Sequence, residues 1–183
     1  MKKIAIIACS LLAAAGVYAQ GTVNFANAGA GLNAPVHLNT IGGALVGTGY
    51  MAQLLLDTGG GSLTAVGTAA NFIGAGAPGY FNGGVVTVAQ VAPGASGTFQ
   101  AFAWDSATGV TTYAAALAAW QAGTIHGGYG GPVTITTGGA GSPPTTPSPL
   151  TGLQPWFVTQ VPEPSTIALG VIGGLALLLR RRK

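Results

Sequence analysis

In 183 residues the chain carries six basic and three acidic side chains, 5% charged against 49% hydrophobic, where an ordinary soluble domain is about a quarter charged. All six basic residues lie at the two ends (Lys2, Lys3, Arg180, Arg181, Arg182, Lys183), and with Glu163 near the second end, residues 20–160 hold only Asp57 and Asp105 as formal charges. No cation remains there to neutralise phosphates, so the net charge of +3 belongs to the termini and a nucleic-acid partner is excluded.

Residues 1–19 have the grammar of a secretory signal peptide. Lys2 and Lys3 form a positive n-region, residues 4–17 an apolar h-region expected to be helical, and Val17-Tyr18-Ala19 a small-residue cleavage site that leaves Gln20 first in the mature chain. An export translocon and signal peptidase are the expected partners. Ile6-Ile7-Ala8-Cys9 has the outline of a lipoprotein box, but using it would leave an h-region too short to work. Cys9 is the single cysteine, so the mature chain forms no disulfide and depends on packing and hydrogen bonds.

Residues 20–137 are enough for one domain with a core, and their pattern is mostly β. Thr22-Val23-Asn24-Phe25 reads as a first strand and Tyr50-Met51-Ala52-Gln53-Leu54-Leu55-Leu56 as a central one, ended by Asp57-Thr58-Gly59-Gly60-Gly61. Leu63-Thr64-Ala65-Val66 is placed to pair back across that turn. In Tyr80-Phe81-Asn82-Gly83-Gly84-Val85-Val86-Thr87-Val88 the Asn-Gly step, set between aromatic and β-branched residues, predicts a hairpin turn. Residues 98–104 and 133–137 are two further strands. Between them, Thr112-Tyr113-Ala114-Ala115-Ala116-Leu117-Ala118-Ala119-Trp120-Gln121 predicts one short Ala-rich helix with Tyr113, Leu117 and Trp120 as its apolar stripe and Gly123 as its stop. The stripe is expected to cover an open face or end of the sheets, in preference to standing free as an aromatic platform for sugar. The whole is expected to be a single antiparallel β-sandwich or jelly roll.

Residues 138–155 change to Gly, Pro, Ser and Thr, and five prolines between Pro143 and Pro155 favour extended polyproline geometry, so this stretch is expected to be a loop or stalk-like connector. Trp156-Phe157-Val158 opens a last strand, residues 156–160, that rejoins the sheet.

The body offers little chemistry. Leu54-Leu55-Leu56-Asp57-Thr58-Gly59 has the outline of an aspartic-protease turn, but Asp-Thr-Gly is also an ordinary strand end, and Asp105-Ser106-Ala107-Thr108-Gly109 fits a type I turn. Asp57 and Asp105 are the two acids a secreted hydrolase would have to use. His37 and His126 are too few for a metal site, no Ser stands in a Gly-x-Ser-x-Gly context, and no metal, cofactor or catalytic residue is expected. Neutral strands bearing Thr, Asn and Gln with Tyr and Trp would instead suit stacking on, and bonding to, a sugar polymer, a lectin-like alternative to a purely structural role.

Residues 161–183 are the most informative. The polar motif Val161, Pro162, Glu163, Pro164 is followed by an apolar run, residues 167–179, that includes Ile167, Leu169, Val171, Ile172, Leu175, Leu177, Leu178 and Leu179, and then by Arg180, Arg181, Arg182 and Lys183. As a helix at ~1.5 Å per residue the run reaches roughly 20 Å, short of a hydrocarbon core of about 30 Å, and so suits a transient transmembrane helix. The basic end resists crossing and stops transfer. This tripartite tail resembles the PEP-CTERM sorting signal. That resemblance implies processing by the membrane transpeptidase exosortase and delivery to the cell surface or an extracellular, biofilm-type matrix, with exopolysaccharide as a further partner. Some secreted proteins with such tails are described as resembling ice-binding proteins. Ice would require a flat array of regularly spaced Thr, for which Thr134, Thr136 and Thr137 are too few. The expected product is an exported, non-enzymatic surface or matrix protein.

Overall fold

The computed structural model describes residues 20–29, 31–139 and 143–161. The expected signal helix and C-terminal hydrophobic helix lie outside them, and among the described residues no helix is long and apolar enough to cross a membrane.

In β5 (Tyr50–Asp57) every side chain from Ala52 to Leu56 is buried, and a strand buried on both faces has to sit inside a sheet. It lies between β6 (Leu63–Asn71) and β8 (Ser96–Asp105), antiparallel to both. On its far edge β8 pairs with β9 (Gly127–Tyr129) at one end and β10 (Val133–Thr136) at the other. A second sheet is built around β1 (Gly21–Ala26), which pairs along its length with β7 (Asn82–Val88). The other edge of β1 is shared by two short pieces from much later in the chain, β11 (Gly138–Gly139) and β12 (Ser148–Pro149).

The inward side chains of both sheets meet in one core: Val23, Phe25, Val86 and Val88 from the second with Leu54, Leu56, Phe99 and Ala101 from the first. The opposite face of the larger sheet has its own apolar cluster, Leu55, Phe102 and Trp104, covered by α1 (Tyr113–Gln121). Thr112 caps this helix, its hydroxyl accepting from the Ala115 amide. The predicted stripe is rotated: Ala116 is the buried residue, flanked by Tyr113, Ala119 and Trp120, while Leu117 is only half-buried. A methyl at the centre lets the helix approach the sheet, and Tyr113 and Trp120 each reach the Phe102 ring, both with centroids 5.5 Å away. The aromatic residues of the stripe therefore cover a core.

The mostly β reading with one helix holds, and four expectations change. Asn82-Gly83 is not a hairpin turn. It lies inside β7 at a register irregularity opposite β1, where Asn82 Oδ1 accepts from the Gly84 amide at 3.0 Å. Pairing is not wholly antiparallel, since β1 runs parallel to β12, and β13 (Trp156–Val158) runs parallel to β4 (Val36–Leu38). The Pro-rich stretch is not a free stalk. It returns to β1 twice and inserts Leu150 and Leu153 into the core. Finally, the last strand pairs with β4, and its ladder pairing with the larger sheet is a bridge from Thr159 to Gly127. A small outlying pair, β2 (Ala28–Gly29) with β3 (Leu32–Asn33), completes the strands.

Candidate functional site

The body hands the chain over to the tail at Thr159 and Gln160. Two amide–carbonyl bonds, both 3.0 Å, join Thr159 to Gly127, and the Trp120 indole Nε1 donates to the Thr159 carbonyl at 2.8 Å. Gln160 Nε2 donates to the carbonyl of Gly123, the residue after the helix C-cap Ala122, and the Asn39 amide donates to the Val158 carbonyl at 2.8 Å. The glycines are sterically required. A Cβ at Gly127 would stand 2.8 Å from the Trp120 ring, and one at Gly128 would fall inside the Phe157 backbone carbonyl. The chain is thus held up to Gln160 by neutral hydrogen bonds together with the burial of Trp156 and Val158.

Beyond that point the sequence alone speaks, and a family comparison decides what it says. Residues 160–183 match the family model for the PEP-CTERM protein-sorting motif. No match to a curated protein or to a solved structure was found. The PEP-CTERM motif implies export, membrane anchoring and handling by exosortase-type sorting machinery. Its match begins at Gln160, the last residue seen to hydrogen-bond to the body among the described residues. Of the sequence-predicted positions, Gln20 is exposed and Val161 half-buried. Ala19, Pro162, Glu163, Pro164, the apolar run from Ile167 and the basic cluster ending at Lys183 all lie outside the described residues.

The same register lines up a surface row beside the exit. Phe157 pairs with His37, and His37 with Leu45, and residues paired across a sheet share a face. On the opposite face of these strands Trp156, Val36 and Val158 are buried. His37 Nδ1 lies 2.9 Å from the Gly43 carbonyl, tying the row to the loop that carries Ile41.

The candidate catalytic groups are not brought together. Asp105 pairs with Tyr50 at one end of β5, and Asp57 is at the other. Seven residues of strand put them about 23 Å apart, whereas glycosidase carboxylates work within about 10 Å. Each closes a local turn: Asp57 Oδ1 accepts from the Gly59 amide and Asp105 Oδ1 from the Ala107 amide, both at 2.8 Å. Burial, and secondarily the Asp105 charge, push the Tyr50 hydroxyl above its ordinary range. Among the described residues no three His, Cys, Asp or Glu gather as a metal group. Thr134 Oγ1 meets Thr98 Oγ1 at 2.8 Å on the surface, but Thr137 is buried and bonded to the Ala92 and Ala95 carbonyls, so the threonines do not form one face.

One feature was not visible from the sequence. Where β6 bulges at Gly67 (φ +69°) the register of β5 slips between Ala52 and Leu54. Gln53, only 5% exposed, turns its Nε2 to the carbonyls of Val66 at 2.7 Å and Gly67 at 3.4 Å. Gln53 lines a cleft of about 520 Å³ with Met51, Gly67, Thr68, Thr112 and Tyr113. The only signal for it was an amide within an apolar strand.

Proposed function

We propose that the chain is an exported, non-enzymatic surface or extracellular-matrix protein, its body a two-sheet sandwich and its tail an exosortase-processed PEP-CTERM signal. The observation that carries this reading is the match over residues 160–183, with the chain still hydrogen-bonded to the body at Gln160. The near-absence of charge between Gln20 and Gln160 supports it. Such a body has little colloidal repulsion, a property suited to a protein that stays within a neutral polysaccharide matrix. The test is to express the chain in matched hosts with and without exosortase and measure intact masses. Loss of the apolar run and basic end, confined to the host with the enzyme, is expected. A full-length, freely soluble extracellular form ending in Lys183 would overturn it.

A lectin-like body is the second reading, favoured by the Gln53 cleft. Its lining offers the Gln53 amide, Thr68 and Thr112 hydroxyls and the Tyr113 ring, with no charge, which is chemistry for a neutral saccharide. Calorimetric titration with neutral oligosaccharides separates the readings. Binding that is abolished by Thr68→Val at unchanged melting temperature would establish the cleft, and absence of heat with every sugar would leave the structural role.

A further inference from the structure

The exit of the tail fixes which part of the body can approach a membrane. The chain is hydrogen-bonded to the body up to Gln160, and the apolar run begins at Ile167. From Gln160 to Ile167 there are seven residue steps, at most ~25 Å when fully extended. A body of this size has a radius of gyration of ~14 Å, hence a diameter of roughly 37 Å. The tether is therefore shorter than the body is wide, and the surface around Gln160 is kept close to whatever holds the run.

That surface carries apolar side chains. Phe157 lies three strand residues, about 10 Å, before Gln160, on the same face of its strand as Thr159. With it in one row are His37 and Leu45, and Ile41 stands at the tip of the adjoining loop. Ile41 is 54% exposed, Phe157 41% and Leu45 39%, three of the five large hydrophobic side chains exposed among the described residues. Among the described residues the only Asp, Glu, Lys or Arg side chains are Asp57 and Asp105, and Asp105 follows Trp104 in the ladder through Gly127 to Thr159, two strands away.

We propose that, while the tail is still attached, the row Phe157–His37–Leu45 together with Ile41 rests in the headgroup region of the bilayer that holds the tail. This rests on the sorting reading above. The occupant is lipid, since a tether this short places the row within reach of the interface, some 5–8 Å deep on each side of the hydrocarbon. An aromatic ring with aliphatic neighbours and no cation suits that zone without requiring anionic lipid. Cleavage removes the tether and with it the high local concentration that holds so small a patch on the surface.

The mature chain has no cysteine, so residues 20–183 can carry single environment-sensitive fluorophores at Phe157→Cys, Leu45→Cys, Val85→Cys or Leu175→Cys. Val85, 61% exposed on β7, is the control. With phosphatidylcholine vesicles, emission at positions 157 and 45 is expected to rise several-fold and to be quenched by shallow nitroxide lipids, while position 85 stays unchanged. Near-UV circular dichroism verifies that each variant is folded. If position 175 enters the bilayer and position 157 behaves like position 85, the docking proposal is wrong and the anchor stands. Should position 175 itself remain in water, the anchor fails as well. A response at position 157 only in vesicles reconstituted with the transpeptidase would reassign the row to a protein partner and overturn the lipid assignment.

Discussion

Asn27 is fully buried and holds together three stretches of chain that share no strand. Its Nδ2 donates to the Ala34 carbonyl at 2.8 Å and the Gly79 carbonyl at 2.9 Å, and its Oδ1 accepts from the Phe81 amide at 2.8 Å. Buried groups left without partners cost about 1–3 kcal/mol each. Asn27→Ala strands the Phe81 amide and weakens two carbonyls, so a loss of about 3 kcal/mol is expected, visible in thermal denaturation as a fall of roughly 10 °C. At Tyr129 the effect is one of pH. Burial first, and then the Tyr113 hydroxyl 3.1 Å away, raise its pKa well above the ordinary tyrosine value. The unfolded chain gives up this proton near pH 10 and the folded chain does not, so the unfolded state binds fewer protons there. Stability is intact below about pH 10 and falls as pH rises towards the folded value. The described body has no Lys or Arg to titrate in that range, so Tyr129→Phe should flatten the alkaline limb of a denaturant-midpoint profile. A limb unchanged by the substitution would place the loss at Tyr50 or elsewhere.

Among the elements, α1 does two jobs: it covers Phe102 and Trp104, and it holds the exit through Trp120. Trp120→Phe keeps a ring over Phe102 and deletes the donor to the Thr159 carbonyl. A bond worth about 1 kcal/mol corresponds to a roughly fivefold faster amide exchange at Gly127 and Thr159, with exchange in β5 unchanged. Exchange accelerated equally everywhere would mean the ring's packing mattered and the bond did not. The sequence revealed elements whose stabilisation is local or repetitive. β5 and β8 announce themselves as apolar runs, and α1 as alanines interrupted by aromatic residues. It concealed elements that exist only because a distant partner is present. β11 and β12 are two residues each and gain their bonds from β1, and β13 depends on β4, more than a hundred residues earlier. Asn82-Gly83 misled because a local turn preference competed with packing. Phe81 and Val86 both belong to the core, and Gly83 sits where a Cβ would strike the Phe25 ring at 2.6 Å. The strand therefore continues, and the Asn makes its small turn within it. Of the site, the tail could be read because its order of motif, apolar run and basic end is a pattern of composition. The Gln53 cleft could not, because it arises from a register slip.

For the whole molecule, the charge distribution sets how the body meets its surroundings. Between Gln20 and Gln160 there are two Asp and no Lys or Arg, a net charge of −2. Binding that releases counterions is strongly salt-dependent, and this body has no cations with which to do it. The processed protein should pass through heparin and DNA columns at low ionic strength. Its retention by a neutral polysaccharide should not change between about 50 mM and about 1 M salt, a range over which the screening length falls several-fold. Salt-sensitive retention, measured by co-sedimentation, would point to a charged ligand. The closure of β1 bears on the order of assembly. Thr22 waits for Gly138 and Val23 for Ser148, so the first strand to leave an export channel is among the last to find its neighbours. Contacts this far apart in sequence make folding slow, and the edge cannot close until nearly all of the body has been delivered. The body therefore cannot complete its second sheet before residues 138–149 have been delivered, shortly ahead of the sorting motif that begins at Gln160.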